Sequence, residues 1–212
     1  MIADWPWLAI CLMGAYHGLN PAMGWLFAVS LGLQEGKRTK VVQALFPIAL
    51  GHLASIALVV ALVDWSRLII SPRALEWGGG LALLAFGLFR LCSSRWHYRW
   101  VGMRVSSLDL GVWSFLMASA HGAGLMLFPI LINLPACGLT RTISTASTWA
   151  GVIETGSAVV IVHTLAMLLV MGAVALLVYD RLGLAILRSA WINLDKLWAA
   201  TLAACGLIVL LV

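Results

Sequence analysis

Residues 13–27, MGAYHGLNPAMGWLF, decide how this chain folds, because a weaker copy returns in the second half as residues 117–128, MASAHGAGLMLF. Each segment carries a histidine within an apolar run, His17 in the first and His121 in the second. One further histidine follows in each half, His52 before LASIAL and His163 before TLAMLL. The repetition predicts two halves that fold alike and bring matching residues together.

The composition indicates an integral membrane protein. Of 212 residues, 63% are hydrophobic and 10% are charged, whereas a soluble domain has about 25% charged residues. The lipid bilayer is therefore the expected partner, with no room for a sizeable soluble domain. The first apolar run lacks a basic segment before it and is interpreted as a retained span. The net charge of +5 is assigned to basic loops facing the cytoplasm and not to nucleic-acid binding.

The apolar runs predict an all-α membrane protein with six transmembrane helices. A span needs about 20 apolar residues. Pro21 and Pro129 lie inside the first and fourth runs, where proline removes a backbone donor and can break a helix. We therefore expect broken first and fourth helices. The six predicted spans are residues 7–33, 41–63, 75–92, 109–134, 150–179 and 194–212.

The basic residues predict the orientation of these spans. Loops after the odd-numbered spans, with their flanks, carry ten of the 13 Lys and Arg residues, and the remaining three lie on the other side. The positive-inside rule then places both termini outside the cytoplasm of a bacterial-type inner membrane. The ten are Lys37, Arg38, Lys40, Arg90, Arg95, Arg99, Arg104, Arg181, Arg188 and Lys196, and the three are Arg67, Arg73 and Arg141.

Three spans per half is an odd number, so the second half enters the membrane upside down relative to the first. The chain is thus predicted to be a 3+3 inverted repeat, with residues 1–104 as the first three-helix unit and residues 105–212 as the second. Secondary transporters commonly use this arrangement and bind their substrates near the bilayer midplane.

The four repeated histidines are predicted to lie at one depth. With a rise of about 1.5 Å per residue, each ring lies roughly 15 to 20 Å into its span, and the hydrocarbon core is about 30 Å thick. Imidazole binds Zn, Cu, Fe and Ni and titrates near neutral pH. His17, His52, His121 and His163 are therefore the predicted ligands of a transition-metal ion (Ni, Co, Zn, Cu or Mn), which protons would release.

Three other residues are candidates for lining this site or coupling it to protons. Asn20 and Pro21 can supply oxygen ligands or hold the imidazoles, or Asn20 can simply cover the backbone that the proline frees. Glu154 can act as an entry ligand or proton acceptor, or it can be a helix-start residue that the helix dipole favours. His97 lies among loop arginines and is interpreted as an interfacial residue.

At these residues the chain resembles the LysE-type transporter superfamily, whose members include nickel/cobalt exporters, urease-accessory membrane proteins and DsbD/CcdA-like thiol transporters. The segment from His17 to Pro21, HGLNP, is similar to the His-Ala-x-x-Pro-Asp-His element of the nickel/cobalt and urease-accessory group. Asn20 precedes the proline here, and Ala22-Met23 replaces the Asp-His pair of that group. The resemblance implies a transporter with a three-plus-three helix plan and leaves the identity of the metal open.

The leading hypothesis is a secondary transporter, not an enzyme, that moves a small divalent transition-metal cation coupled to protons. No nucleophile constellation or nucleotide loop points to catalysis. One alternative is a membrane haem- or copper-binding redox or assembly protein that uses the same histidines. Further alternatives are transport of an amino acid or small anion, and an accessory subunit of a larger membrane complex. A homodimer also stays open.

Overall fold

The computed structural model describes residues 5–92, 106–133, 149–182 and 194–211, and within these ranges every regular element is helical. His97, Cys137 and the loop residues Arg95, Arg99, Arg104, Arg141 and Arg188 lie outside the described residues. Short 3₁₀ turns, Pro21–Met23 and Leu125–Leu127, precede α2 and α6, and a π-helical turn, Val178–Leu182, extends α7. The helices are α1 (Trp5–Leu19), α2 (Trp25–Glu35), α3 (Arg38–Ile69), α4 (Pro72–Cys92), α5 (Ser107–Ala120), α6 (Phe128–Asn133), α7 (Trp149–Leu177) and α8 (Leu194–Leu211).

Several of these helices are long and apolar enough to cross a membrane, as the composition predicts. Arg38–Arg67, Pro72–Cys92 and Glu154–Arg181 meet this description individually. Ser107–Ala120 and Leu125–Ile132 form a fourth span if the pair, bent by 47°, is counted as one. α1 and α2 have 15 and 11 residues, and Lys196–Leu211 is a shorter apolar helix. The chain is a membrane protein, and six spans stay a prediction.

Both predicted breaks are present, but only one is made by its proline. After α1, Asn20 and Pro21 begin a 3₁₀ turn that ends at Gly24, whose φ is 119°. After α5, the chain turns at Gly122, whose φ is 67°, a left-handed conformation that glycine adopts without steric cost. Pro129 lies beyond this break as the second residue of α6. There, proline is tolerated because the first helical residues have unpaired N–H groups in any helix.

Small residues let the helices pack closely in pairs: α1 against α7, α3 against α5, and α4 against α8. Gly14 lies against the backbone carbonyl of His163. Gly51 lies against the backbone of Gly111, and Gly206 against that of α4. Close backbone approach at small residues is a general way to join helices in lipid, where apolar side chains gain little by leaving the solvent.

The buried interior consists of two apolar clusters. The first cluster contains Ile10 and Ile56 together with Val159, and the second contains Ile48 and Met167. Along α3, the buried apolar residues before His52 belong to the second cluster and those after it belong to the first. Along α7, those before His163 belong to the first cluster and those after it belong to the second. A buried polar layer therefore separates two apolar halves of the core.

The outward surface is apolar as well. Leucines that face away from the core are half or more exposed, which is the expected surface of a helix bundle in lipid. Trp5, Trp65 and Trp77 are also exposed. The exposed leucines of the two longest helices are Leu50, Leu58, Leu62, Leu165 and Leu169.

Candidate metal centre

His17 contributes the first imidazole, from the last turn of α1. Its ring is fully buried, and Nδ1 lies 2.9 Å from the backbone carbonyl of Met13. Because a carbonyl can only accept, Nδ1 carries the proton in the neutral ring and Nε2 keeps a lone pair. Nε2 is buried and, among the described residues, has no hydrogen-bond partner. A metal-binding histidine usually has this arrangement, with one nitrogen fixed by a second partner and the other presented to the ion.

His52 and His163 contribute the second and third imidazoles, from the middle of α3 and α7. Both rings are buried. Neither ring nitrogen of His52 makes a hydrogen bond within the part of the chain that the structure describes, and the His163 ring lies against the backbone of Ile10. His163 has fourteen residues of α7 on either side of it, from Trp149 to Leu177. Buried polar nitrogens without partners cost stability unless something else satisfies them. The pair therefore has the chemistry of a ligand site.

The three imidazoles converge on one small volume. The centroid of the His17 ring lies 5.2 Å from that of His52 and 4.8 Å from that of His163, and the latter two are 5.8 Å apart. One nitrogen of each ring lies within 4.8 Å of the others. Nitrogen ligands at about 2.0 Å from a tetrahedral ion lie about 3.3 Å apart. Small side-chain movements are thus sufficient to bring all three nitrogens onto one ion.

His121, the fourth predicted ligand, does not join this group. It lies directly after α5, at the second break, and its ring Nδ1 is 2.8 Å from the carbonyl of Met117. This contact repeats the one between His17 and Met13. The convergent set of described ligand atoms nevertheless comprises only His17, His52 and His163. The structure therefore brings three of the four predicted histidines together.

Asn20 and Pro21 shape the break beside His17. Asn20 is buried, its side-chain oxygen accepts the N–H of Ala22 at 3.0 Å, and its own N–H donates to the carbonyl of His17 at 3.1 Å. Of the two interpretations offered by the sequence, this geometry matches the one in which Asn20 covers the backbone freed by the proline.

Glu154 lies apart from the three histidines. Its side chain is exposed in the second turn of α7, nine residues before His163, which corresponds to about 13 Å along a helix. Nine residues are two and a half turns, so the two side chains lie on opposite faces. This position agrees with a residue near a helix start, where an acidic side chain is favourable.

Trp198 of α8 is a site residue that the sequence analysis did not single out. Its buried ring lies 4.1 Å from that of His17, and stacks on Tyr16 at 5.2 Å. Its indole N–H donates to the backbone carbonyl of His121. Trp198 therefore connects the histidine cluster to the second break. In the sequence, Trp198 is marked only by the small residues that follow it in the sixth predicted span, and small residues indicate helix packing and not a functional site.

Asp64 and Arg67 form a second polar group, at the end of α3. Arg67 donates to the carbonyl of Leu131 in α6 and lies 3.6 Å from the Asp64 carboxylate. From the sequence alone, Arg67 is only a charge in a loop, because its hydrogen bond to Leu131 depends on where α6 lies in the folded chain. The contact fixes the C-terminal end of α6 to α3.

Comparison of the chain with protein-family models, with curated proteins and with solved structures gives no match. The geometry of the histidines and the chemistry of imidazole are therefore the basis on which a function is inferred.

Proposed function

We propose that this membrane protein is a secondary transporter that binds a transition-metal cation as its substrate at His17, His52 and His163. One observation carries the proposal: three buried imidazoles converge between two apolar halves of the core, and Nε2 of His17 and both ring nitrogens of His52 make no hydrogen bond to a described residue. Ionisable groups inside a membrane are rare and usually mark ion or proton pathways. A neutral imidazole also belongs to the ligand class that transition metals prefer.

Protons are the natural coupling ion for such a site. An imidazole must be neutral to bind a metal, so protons and the cation compete for the same nitrogens. Binding is therefore strongest where the imidazoles are neutral, and it weakens as the pH falls far enough to protonate them. A transporter that moves metal in one direction and protons in the other would thus use the same imidazoles for both.

The helix pairing supports the inverted-repeat part of the proposal. α1 runs parallel to α7, since Gly14 meets His163 and Gly18 meets Met167. α5 runs parallel to α3 in the same way, with Ser55 bonded to Ser119 at 2.8 Å and Ser114 to the carbonyl of Ile48. Each broken helix thus packs along the long helix of the other half, as exchange of equivalent partners across a two-fold axis would produce.

The resemblance to the LysE-type superfamily and the distribution of basic residues extend the proposal. They favour six spans arranged three plus three, both termini outside the cytoplasm, and an inner-membrane location. In this arrangement α2 and α6 are the second halves of the broken first and fourth spans. Each would close one side of the histidine layer, which is what alternating access requires.

The haem alternative fits the cluster less well. Two axial histidines must lie on opposite faces of a flat macrocycle. His17 is nearly equidistant from His52 and His163, at 5.2 and 4.8 Å, so its ring occupies the plane that a macrocycle between those two would need. The arrangement favours a bare ion. A protein that binds copper without moving it is the remaining form of this alternative.

Transport by purified protein in liposomes tests the proposal. Vesicles containing a trapped pH dye are given Ni, Co, Zn, Cu or Mn, and vesicle-associated metal is measured by elemental analysis after filtration. We expect uptake of at least one metal, accompanied by a change in internal pH.

His52→Ala should reduce uptake to the level of protein-free vesicles, and the matched control Glu154→Gln should behave as wild type. Metal bound to protein without flux would favour the assembly-protein alternative, and flux unaffected by His52→Ala would refute the site.

A further inference from the structure

The charge of the histidine layer restricts which cation it can hold. The buried polar side chains that the structure describes are imidazoles, hydroxyls and one amide, all of them neutral or able to be neutral. A cation bound there adds its full charge to a region with apolar clusters on both sides. The cost of placing an ion in a low-dielectric interior grows with the square of its charge, so a divalent ion costs roughly four times as much as a monovalent ion of the same size.

The acidic side chains described on the three site helices lie far from the cluster. Glu154 is exposed and lies nine residues from His163. Asp64 lies twelve residues from His52, about 18 Å along α3, and faces Arg67. Neither can offset a second positive charge at the imidazoles. Binding a divalent ion would require an anion to enter with it.

Oxygen atoms near the two breaks already accept hydrogen bonds. The carbonyl of Leu19 accepts the indole N–H of Trp25 at 3.2 Å, and that of His121 accepts the indole of Trp198. The side-chain oxygen of Asn20 accepts the N–H of Ala22. Among the His, Cys, Asp and Glu side chains that the structure describes, the ligand atoms that converge here are imidazole nitrogens, and no carboxylate is present to suit ions that prefer several charged oxygen ligands.

The residues flanking the cluster add soft donors. Met167 and Met171 follow His163 by four and eight residues, so they share its face of α7, and both are fully buried in the second apolar cluster. Met126 occupies the first apolar cluster. Thioethers are neutral ligands that select Cu(I). Both apolar clusters beside the histidine layer therefore contain buried thioethers.

We propose that the ion held by His17, His52 and His163 is a soft monovalent cation, Cu(I), in place of the divalent cation that the sequence predicts. This inference rests on the proposed function, because it assumes that the three histidines bind a metal. Neutral nitrogen and sulfur ligands suit a d¹⁰ monovalent ion, which also brings the smaller charge into the layer.

Competitive metal binding to the purified full chain tests the charge of the ion. A background variant with Cys11, Cys92, Cys137 and Cys205 replaced by Ser removes thiol ligands. Cu(I) is titrated without oxygen, in ascorbate, against the chromophoric chelator bicinchoninate. Zn, Ni and Co are titrated against a competing dye. We expect one Cu(I) per chain, bound at least about 100-fold more tightly than any divalent ion, and an X-ray absorption spectrum with nitrogen ligands.

Two variants separate the outcomes. His163→Ala should abolish Cu(I) binding, and His163→Asp, which adds one negative charge, should lower the preference for Cu(I) over Zn by at least about tenfold. Tighter Zn or Ni binding that depends on His163 would overturn the Cu(I) inference and leave the transporter proposal standing. Absence of metal binding in wild type would overturn both. Cu(I) binding that survives His163→Ala would place the ion elsewhere and overturn both as well.

Discussion

The two breaks begin with similar sequences and end with different roles. At both, a histidine near the end of the first half-helix has Nδ1 within 2.9 Å of the carbonyl four residues earlier, and an indole N–H donates to a terminal carbonyl. Yet the His17 ring belongs to the convergent cluster, and the His121 ring does not. The similar sequences therefore share the contact between the histidine and the carbonyl four residues earlier, while the surrounding helices decide which of the two rings lies beside the other imidazoles.

The largest expected difference concerns the two histidines themselves. His17→Ala removes one of three ligands and should lower metal affinity by about 100-fold or more. His121→Ala should change it by less than about tenfold. Isothermal titration with the ion that wild type binds measures both. If the His121 variant is as weak as the His17 variant, the site has four histidines and the comparison between the breaks fails.

The two glycines with positive φ should differ in stability. Gly24→Ala places a Cβ at a φ of 119° and 3.0 Å from Ile48, and Gly122→Ala places one at 67° and 3.0 Å from Phe86. An L-residue tolerates the second conformation better, so we expect about 3 kcal/mol of destabilisation for Gly24→Ala and about 1 to 2 kcal/mol for Gly122→Ala. Thermal unfolding in detergent, followed by circular dichroism, gives the order. The reverse order would show that contacts outweigh backbone strain.

Replacing the two indoles, one at a time, should distinguish an effect on stability from an effect on metal affinity. Phenylalanine keeps an aromatic ring but loses the N–H, leaving a carbonyl unpaired at a cost of about 1 to 3 kcal/mol. Trp198→Phe should also lower metal affinity several-fold, because Trp198 packs on His17. Trp25→Phe should leave affinity unchanged. Equal affinities for the two variants would mean that Trp198 does not hold the ligand ring in place.

The smallest effect should come from the cap of the first break. Asn20→Ala removes the acceptor for Ala22 and should cost about 1 kcal/mol, whereas Asn20→Ser keeps an acceptor and should cost less. The second break offers an internal comparison, since Gly124 caps its 3₁₀ turn without a side-chain hydrogen bond. Titration calorimetry should give metal affinities within about threefold of wild type for both variants. A much larger loss for Asn20→Ala would make Asn20 a ligand.

A buried group of histidines could be predicted from sequence, and the direction in which each ring points from its helix could not. Counting residues at a fixed rise placed all four histidines near mid-span, and three of them are buried together. Which way a ring points depends on the helices packed around it, and α5, which leads into His121, is bonded to α3 through Ser119 and Ser55. Glu154 shows the same thing, because it lies nine residues from His163 in sequence but on the opposite face of α7.

The sequence by itself determined that this is a helical membrane protein with breaks after α1 and α5 and with histidines inside its apolar segments. Those features follow from local composition, from proline and glycine, and from a constant rise per residue. Only the tertiary structure decided that His17, His52 and His163 form the cluster, that Trp198 joins it to the second break, and that Arg67 ties α3 to α6. These contacts join helices far apart in sequence, and their geometry is fixed by how closely the small residues allow the backbones to approach.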